Sequence, residues 1–196
     1  IELNLPGKHN VLNALASIAV ARELGVNDKN IIKALCDFEG ISRRFHVRGG
    51  IKINDINLTL IDDYAHHPTE IRSTFDAIKS GWPDRRLVVI YQPHRFTRMR
   101  DLFEDFSDIL SQIDRLMIFD VYPAGEEAIP GSDGRSLCRA IRTRGKVDPI
   151  FLESKESVFE ILPGVVKEND LLLTLGAGDI GSLSLQIYEN YSQAIH

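Results

Sequence analysis

Leu87-Val88-Val89-Ile90-Tyr91, followed by Gln92-Pro93-His94-Arg95-Phe96-Thr97-Arg98, decides how this chain is read. Five apolar residues in succession, without alternation, have the pattern of a strand buried on both faces of a parallel sheet. The same pattern recurs in Leu116-Met117-Ile118-Phe119-Asp120-Val121 and in Leu171-Leu172-Leu173-Thr174-Leu175. Residues 45–53, 56–61 and 149–152 read as further strands, with a turn near Asn54-Asp55. Between the strands the apolar spacing turns helical. Pro68 opens one helix with Ile71, Phe75 and Ile78 on its face, and Gly81 stops it. Met99, Leu102, Phe103, Phe106 and Leu110 predict a single helix, and Ser132 is expected to cap one that carries Leu137 and Ile141 and stops at Gly145. Ser154 caps another with Val158 and Ile161, and residues 179–192 form the last.

Repeated strand–helix alternation predicts an α/β, Rossmann-like fold over residues 41–196, a mostly parallel sheet flanked by helices. Residues 1–40 differ. Val11, Leu12, Leu15, Ile18 and Ala19 predict a helix over 9–24 closed by Gly25. Asn27 caps a second helix with Ile31, Ile32, Leu35 and Phe38 on one face, ended by Gly40. Two helices are too few for a core, so they read as the end of a preceding domain. With no initial methionine, the chain reads as a piece of something longer.

The 196 residues are 43% hydrophobic and carry a net charge of −5 with dispersed basic residues, which argues against a general nucleic-acid binder. No apolar run reaches the roughly 18–20 residues of a membrane span. The first residues lack the features of a signal peptide. Cys36 and Cys138 read as buried thiols in helices of a protein from a reducing compartment, so a cytoplasmic protein is expected.

Chemistry concentrates where strands end. Asp62-Asp63-Tyr64-Ala65-His66-His67-Pro68 offers two carboxylates and two imidazoles; residues 92–98 offer an imidazole and two guanidiniums. Open α/β sheets bind ligands at the carboxyl ends of their strands, and this set suits an anion together with a sugar or an amine. Adjacent strand residues point apart, which disfavours a metal site built from Asp62, Asp63, His66, His67 and His94. Asp63 reads as an acceptor for a hydroxyl such as a ribose, and one of the two carboxylates is expected to be solvated or to cap a helix. Arg95 and Arg98 share a face once a helix has begun, with forks that match carboxylate or phosphate. Arg100, beside Asp101 and Glu104, reads as a surface ion-pair residue. Arg43 and Arg44 at the junction are either surface charges or reach toward a phosphate. Asn10 and Asn13 share a helical face, and their amides can donate to and accept from an adenine edge. Gly176-Ala177-Gly178-Asp179-Ile180-Gly181 fits the dinucleotide fingerprint, but the chain ends at His196 before the acidic residue that completes it. It reads instead as a tight turn whose N–H groups can face an anion. A dinucleotide oxidoreductase and a stand-alone binding module remain alternatives.

Taken together, Pro6-Gly7-Lys8-His9-Asn10-Val11-Leu12-Asn13-Ala14, Arg43-Arg44-Phe45, residues 62–68, residues 92–98, Asp120-Val121-Tyr122-Pro123-Ala124-Gly125-Glu126 and residues 176–181 resemble the Mur ligases along the whole chain. Within them the chain looks like the enzymes that join L-alanine to UDP-N-acetylmuramate. A relative that recycles murein tripeptide shares the residue 62–68 type of segment but is not expected to share residues 92–98. The resemblance implies the tail of a central ATPase domain over 1–40 and a C-terminal domain over 41–196. It implies ATP, magnesium, UDP-N-acetylmuramate and L-alanine as cofactors and partners, and an acyl phosphate that the alanine amine attacks. Asn10 and Asn13 match the adenine contacts, Asp63 the ribose acid and Arg44 an arginine near the phosphates. His67, His94, Arg95 and Arg98 match the amino-acid end, and Tyr64 lines the same pocket. The phosphate-binding loop and the magnesium ligands are not in these residues, so this chain alone is expected to be inactive.

Overall fold

The computed structural model describes residues 1–4, 7–38 and 40–192, and of His9 the backbone alone. Pro6 and the His9 ring of the first quoted motif therefore lie outside the described residues. Among those residues the order is α1 (Lys8–Glu23), α2 (Asp28–Cys36), β1 (His46–Ile53), β2 (Ile56–Asp63), α3 (Pro68–Gly81), β3 (Leu87–Tyr91), α4 (Phe96–Asp101) and α5 (Phe103–Leu110). It continues with β4 (Arg115–Phe119), α6 (Gly134–Thr143), β5 (Ile150–Leu152), α7 (Glu156–Val165), β6 (Leu171–Leu175) and α8 (Ile180–Tyr191).

The strands form one six-stranded sheet in the order β1-β2-β6-β3-β4-β5. β1 is antiparallel to β2, and every other pairing is parallel. Because side chains alternate along a strand, each apolar run feeds two cores. Leu87, Val89 and Tyr91 of β3, with Leu171, Leu173 and Leu175 of β6, pack against Ile71, Phe75, Phe106 and Leu137 on one face. Val88, Ile90 and Leu172 pack with Ile53, Val158, Leu183 and Ile187 on the other. Both faces are covered, which is why these strands carry no polar alternation.

Several boundaries differ from the sequence reading for local reasons. The helix expected over Met99–Leu110 is two, broken at Leu102 with φ −120°. Asp133, not Ser132, caps α6, its carboxylate accepting the Ser136 N–H at 2.6 Å. α2 ends at Cys36, ahead of Gly40. α7 begins at Glu156 with no side-chain cap on its N-cap residue, Lys155, while the Ser154 hydroxyl lies 3.4 Å from the Ser157 N–H. Cys138 is buried, but Cys36 is only half-buried. Asn27 does cap α2, and α1 closes at Gly25 (φ 78°), with Gly25 N–H on Arg22 O and Val26 N–H on Ala21 O. Among the described residues no helix is long and apolar enough to cross a membrane.

Gly134 separates two kinds of glycine. A Cβ there would lie 2.3 Å from the Phe119 carbonyl oxygen, whereas one on Gly164 in α7 would meet nothing within 4 Å. Gly134→Ala is therefore expected to destabilise by about 1–3 kcal/mol, with Gly164→Ala neutral or stabilising by up to about 1 kcal/mol. Chemical denaturation of the two variants side by side checks this order.

Candidate functional site

The carboxyl ends of β2, β6 and β3 lie side by side, held by Gly176 N–H on Asp63 O and Gln92 N–H on Leu175 O. Polar side chains meet at this edge. Asp62 and Asp63 point to opposite faces, as adjacent strand residues must. Asp62 is fully buried; it accepts the Thr174 hydroxyl at 2.9 Å and faces Arg48 at 3.3 Å and Arg43 at 3.8 Å. Asp63 is 8% exposed and accepts the Ala65 N–H at 3.0 Å and the Thr74 hydroxyl at 2.9 Å. The expectation that one carboxylate is solvated or caps a helix is therefore overturned, because the strand carries both inside. Burial pushes both carboxyls above the usual range, against the hydrogen bonds and arginines that pull them down.

Asp63 forms part of a cavity of about 570 Å³ between α1 and α2 on one side and the ends of β2 and α3 on the other. Asn10, Asn13 and Arg44 line the same cavity, with Ala14, Phe38 and Phe45 as apolar wall. The structure thus brings together four of the residues singled out in the sequence. The donor set suits a nucleoside: amides for a base edge, apolar wall for its faces, and an acid whose two oxygens each keep a lone pair for a hydroxyl. The two junction arginines divide. Arg43 is fastened inward, donating to Gly176 O at 2.6 Å, while Arg44 is exposed and faces the cavity. Tyr64 lies beneath both, with its ring centre 4.9 Å from the Arg43 guanidinium carbon and 5.9 Å from that of Arg44.

Around the β3–α4 turn a second group assembles. The His94 ring stacks on Tyr122 at 5.5 Å and packs against His66 at 5.9 Å. Arg98 Nη1 donates to His94 O at 3.0 Å and lies 3.3 Å from His94 Nδ1. A guanidinium only donates, so Nδ1 is the acceptor and the ring is neutral with its proton on Nε2. Arg95 does not share a helical face with Arg98. It precedes α4 with φ 72° and ψ 129°, and its guanidinium reaches Glu126 at 3.7 Å. His67 is the N-cap of α3: its Nδ1 accepts the Thr69 N–H, and Glu70 accepts the His66 and His67 N–H groups. The ring beside His94 is that of His66, which the sequence reading weighed only as a metal ligand. Arg100 pairs with Asp101 at 2.7 Å, as expected of a surface residue. Among the described residues no three His, Cys, Asp or Glu side chains converge on a metal position.

The glycine turn is occupied by the protein itself. A Cβ on Gly176 would lie 2.6 Å from Gln92 O, one on Gly178 2.4 Å from Gln92 Oε1, and one on Gly181 2.4 Å from Arg43 Nε. Gln92 also bonds Asp179 at 2.7 Å and accepts the Ile180 N–H at 3.1 Å. The glycines are thus needed for the close approach of neighbouring side chains and backbone.

Fold and crevice define an α/β architecture with a cavity at the carboxyl edge of its sheet. The chain belongs to the Mur ligase family: the family described as Mur ligase, glutamate ligase domain, matches residues 43–178. It is 57% identical over 189 residues to a UDP-N-acetylmuramate–L-alanine ligase from Methylococcus capsulatus, covering 96% of this chain and 40% of that protein. The crystal structure of UDP-N-acetylmuramate-alanine ligase from Thermotoga maritima matches with TM-score 0.73 and 33% identity, over 96% of this chain and 39% of that one. A murein peptide ligase from Psychrobacter arcticus matches with TM-score 0.62 and 25% identity, over 96% of this chain and 38% of that one. The chain thus spans about 40% of the length of the curated relative it matches.

Burial of the His94 ring, then the positive charges of Arg98, His66 and Arg95, hold its pKa below the ordinary 6.5. The unfolded chain binds this proton first, so the contribution to stability is complete above 6.5 and is lost as pH falls from there through the lower pKa of the folded ring. In an NMR titration the His94 midpoint is expected below 6.5, and Arg98→Ala is expected to raise it. A midpoint at or above 6.5 contradicts the neutral, hydrogen-bonded ring.

Proposed function

We propose that this chain is the C-terminal part of an ATP-dependent, cytoplasmic ligase that joins L-alanine to UDP-N-acetylmuramate through an acyl phosphate. The observation that carries the reading is the convergence of Asn10, Asn13, Arg44 and Asp63 on one cavity, beside a turn that presents His94, Arg95 and Arg98. In this reading residues 1–40 end a central ATP-binding domain, and residues 41–196 form the C-terminal domain. The seam between them holds the nucleoside. Asn10 and Asn13 read the base, Asp63 receives ribose hydroxyls, and Arg44 lies toward the phosphates. The sequence holds no G-x-x-x-x-G-K-[ST] loop to cradle the phosphates, and among the described residues no three His, Cys, Asp or Glu side chains converge on a position for a metal such as magnesium. Both functions are assigned to the rest of the longer protein.

His94, Arg95 and Arg98 form the amino-acid end, with Tyr64 beside it. A guanidinium fork holds the carboxylate of the incoming amino acid, which leaves its amine to face the activated carbonyl. The neutral His94 ring keeps a donor at Nε2, and its Nδ1 ties Arg98 in place. His67 acts through the start of α3, whose first turn it caps. Catalysis of this kind rests on positioning and on charge stabilisation, both of which fixed Arg and His side chains supply.

The test is phosphate release by the full-length protein with UDP-N-acetylmuramate, ATP and magnesium, comparing L-alanine with L-alanyl-γ-D-glutamyl-diaminopimelate. Release that depends on L-alanine is expected. Release with the tripeptide alone would move the reading to the recycling ligase. Release with neither, from folded protein, would leave a binding module.

A further inference from the structure

The segment Asp120–Glu126, part of the sequence pattern but so far without a role, is built against the turn that carries Arg95. Pro123 to Glu126 is a tight turn closed by Glu126 N–H on Pro123 O at 3.0 Å, with Ala124 (φ 50°) and Gly125 (φ 86°) both left-handed. Two positive φ angles at its centre are those of a type I′ turn. The turn brings the Glu126 carboxylate over the start of α4. Its two oxygens accept the Thr97 N–H at 3.0 Å and the Thr97 hydroxyl at 2.7 Å, and Arg95 Nη1 lies 3.7 Å away. Upstream, Tyr122 accepts the Arg95 N–H at 2.9 Å and donates its own N–H to Pro93 O at 2.8 Å.

These bonds account for an unusual backbone. Arg95, with φ 72° and ψ 129°, occupies a region that residues with a Cβ rarely adopt, and it provides no side-chain cap for the helix it precedes. Glu126 satisfies the first-turn N–H in its place. The Glu126 side chain is 19% exposed and that of Arg95 50%, so one edge of the guanidinium faces the carboxylate at ion-pair distance and the rest lies toward solvent.

We propose, on the ligase reading above, that Glu126 is a positioning residue that sets the Arg95 fork for the carboxylate of the incoming amino acid. A carboxylate already committed to Thr97 orients the arginine without fully neutralising it. The turn separates His94, stacked on Tyr122, from Arg95, which faces Glu126.

The experiment uses the full-length enzyme at saturating ATP and UDP-N-acetylmuramate. Glu126→Ala is expected to raise KM for L-alanine about tenfold, with KM for ATP within about twofold of wild type. Glu126→Gln keeps an acceptor for Thr97, is expected to fold, and should give a smaller rise. Combined with Arg95→Ala, Glu126→Ala should add little beyond the arginine change alone. A variant that lowers Tm but leaves KM for L-alanine at the wild-type value would reduce Glu126 to a helix cap and overturn the inference. So would effects of the two substitutions that simply multiply. If Arg95→Ala raises that KM and Glu126→Ala does not, only this inference fails. If the wild-type enzyme does not use L-alanine at all, the ligase reading fails with it.

Discussion

Two carboxylates side by side at the end of β2 set the terms for the rest of the site. The strand's two-residue period sends them to opposite faces. Asp62 shares the face of Leu60 and sinks among Arg48 of β1, Thr174 of β6 and Arg43 of the segment that leads into the sheet. Asp63 shares the face of Ile61 and meets Thr74 of α3 at the cavity wall. One carboxylate therefore joins three chain segments while its neighbour lines the cavity. Removing a partner from a buried ion pair typically costs about 3–5 kcal/mol, because the remaining charge stays desolvated. Arg43 adds a second tie through Gly176 O, so the segment that leads into the sheet is fastened to the turn after β6 as well as to β2.

The fold was largely legible in the chain because its strands are buried on both faces. Leu87–Tyr91 and Leu171–Leu175 announce themselves by composition, and Pro68, Asn27 and Gly25 punctuate helices in their usual ways. Errors arose where apolar periodicity runs through a break. Leu102 keeps the helical spacing while its backbone leaves the helix, so Met99 to Leu110 looked continuous. At α6 two eligible caps, Ser132 and Asp133, stand together, and only backbone geometry chooses between them.

The site was legible by residue type but less so by orientation. Alternation correctly separated Asp62 from Asp63, yet could not show that both are covered, since burial depends on β1, β6 and α3 packing around the end of β2. His66 and His67 are adjacent, and which ring meets His94 depends on the extended backbone ahead of Pro68. Arg95 could not be placed from spacing, because its positive φ is stabilised by Tyr122 and Glu126, more than twenty residues later in the chain. The glycine turn matched a nucleotide fingerprint locally, while its glycines are explained by the close approach of Gln92 and Arg43.

Asp62 ties segments together and Asp63 lines the proposed nucleoside cavity, and isosteric amides separate these roles most directly. In the full-length protein, thermal unfolding and KM for ATP would be measured for Asp62→Asn and Asp63→Asn. Asp62→Asn should lower Tm by several degrees, because a buried amide cannot accept from Thr174, Arg48 and Arg43 together as the carboxylate does. Asp63→Asn should nearly preserve Tm and raise KM for ATP about tenfold or more. An Asp63→Asn protein with wild-type KM for ATP, or an Asp62→Asn protein with unchanged Tm, would contradict the division.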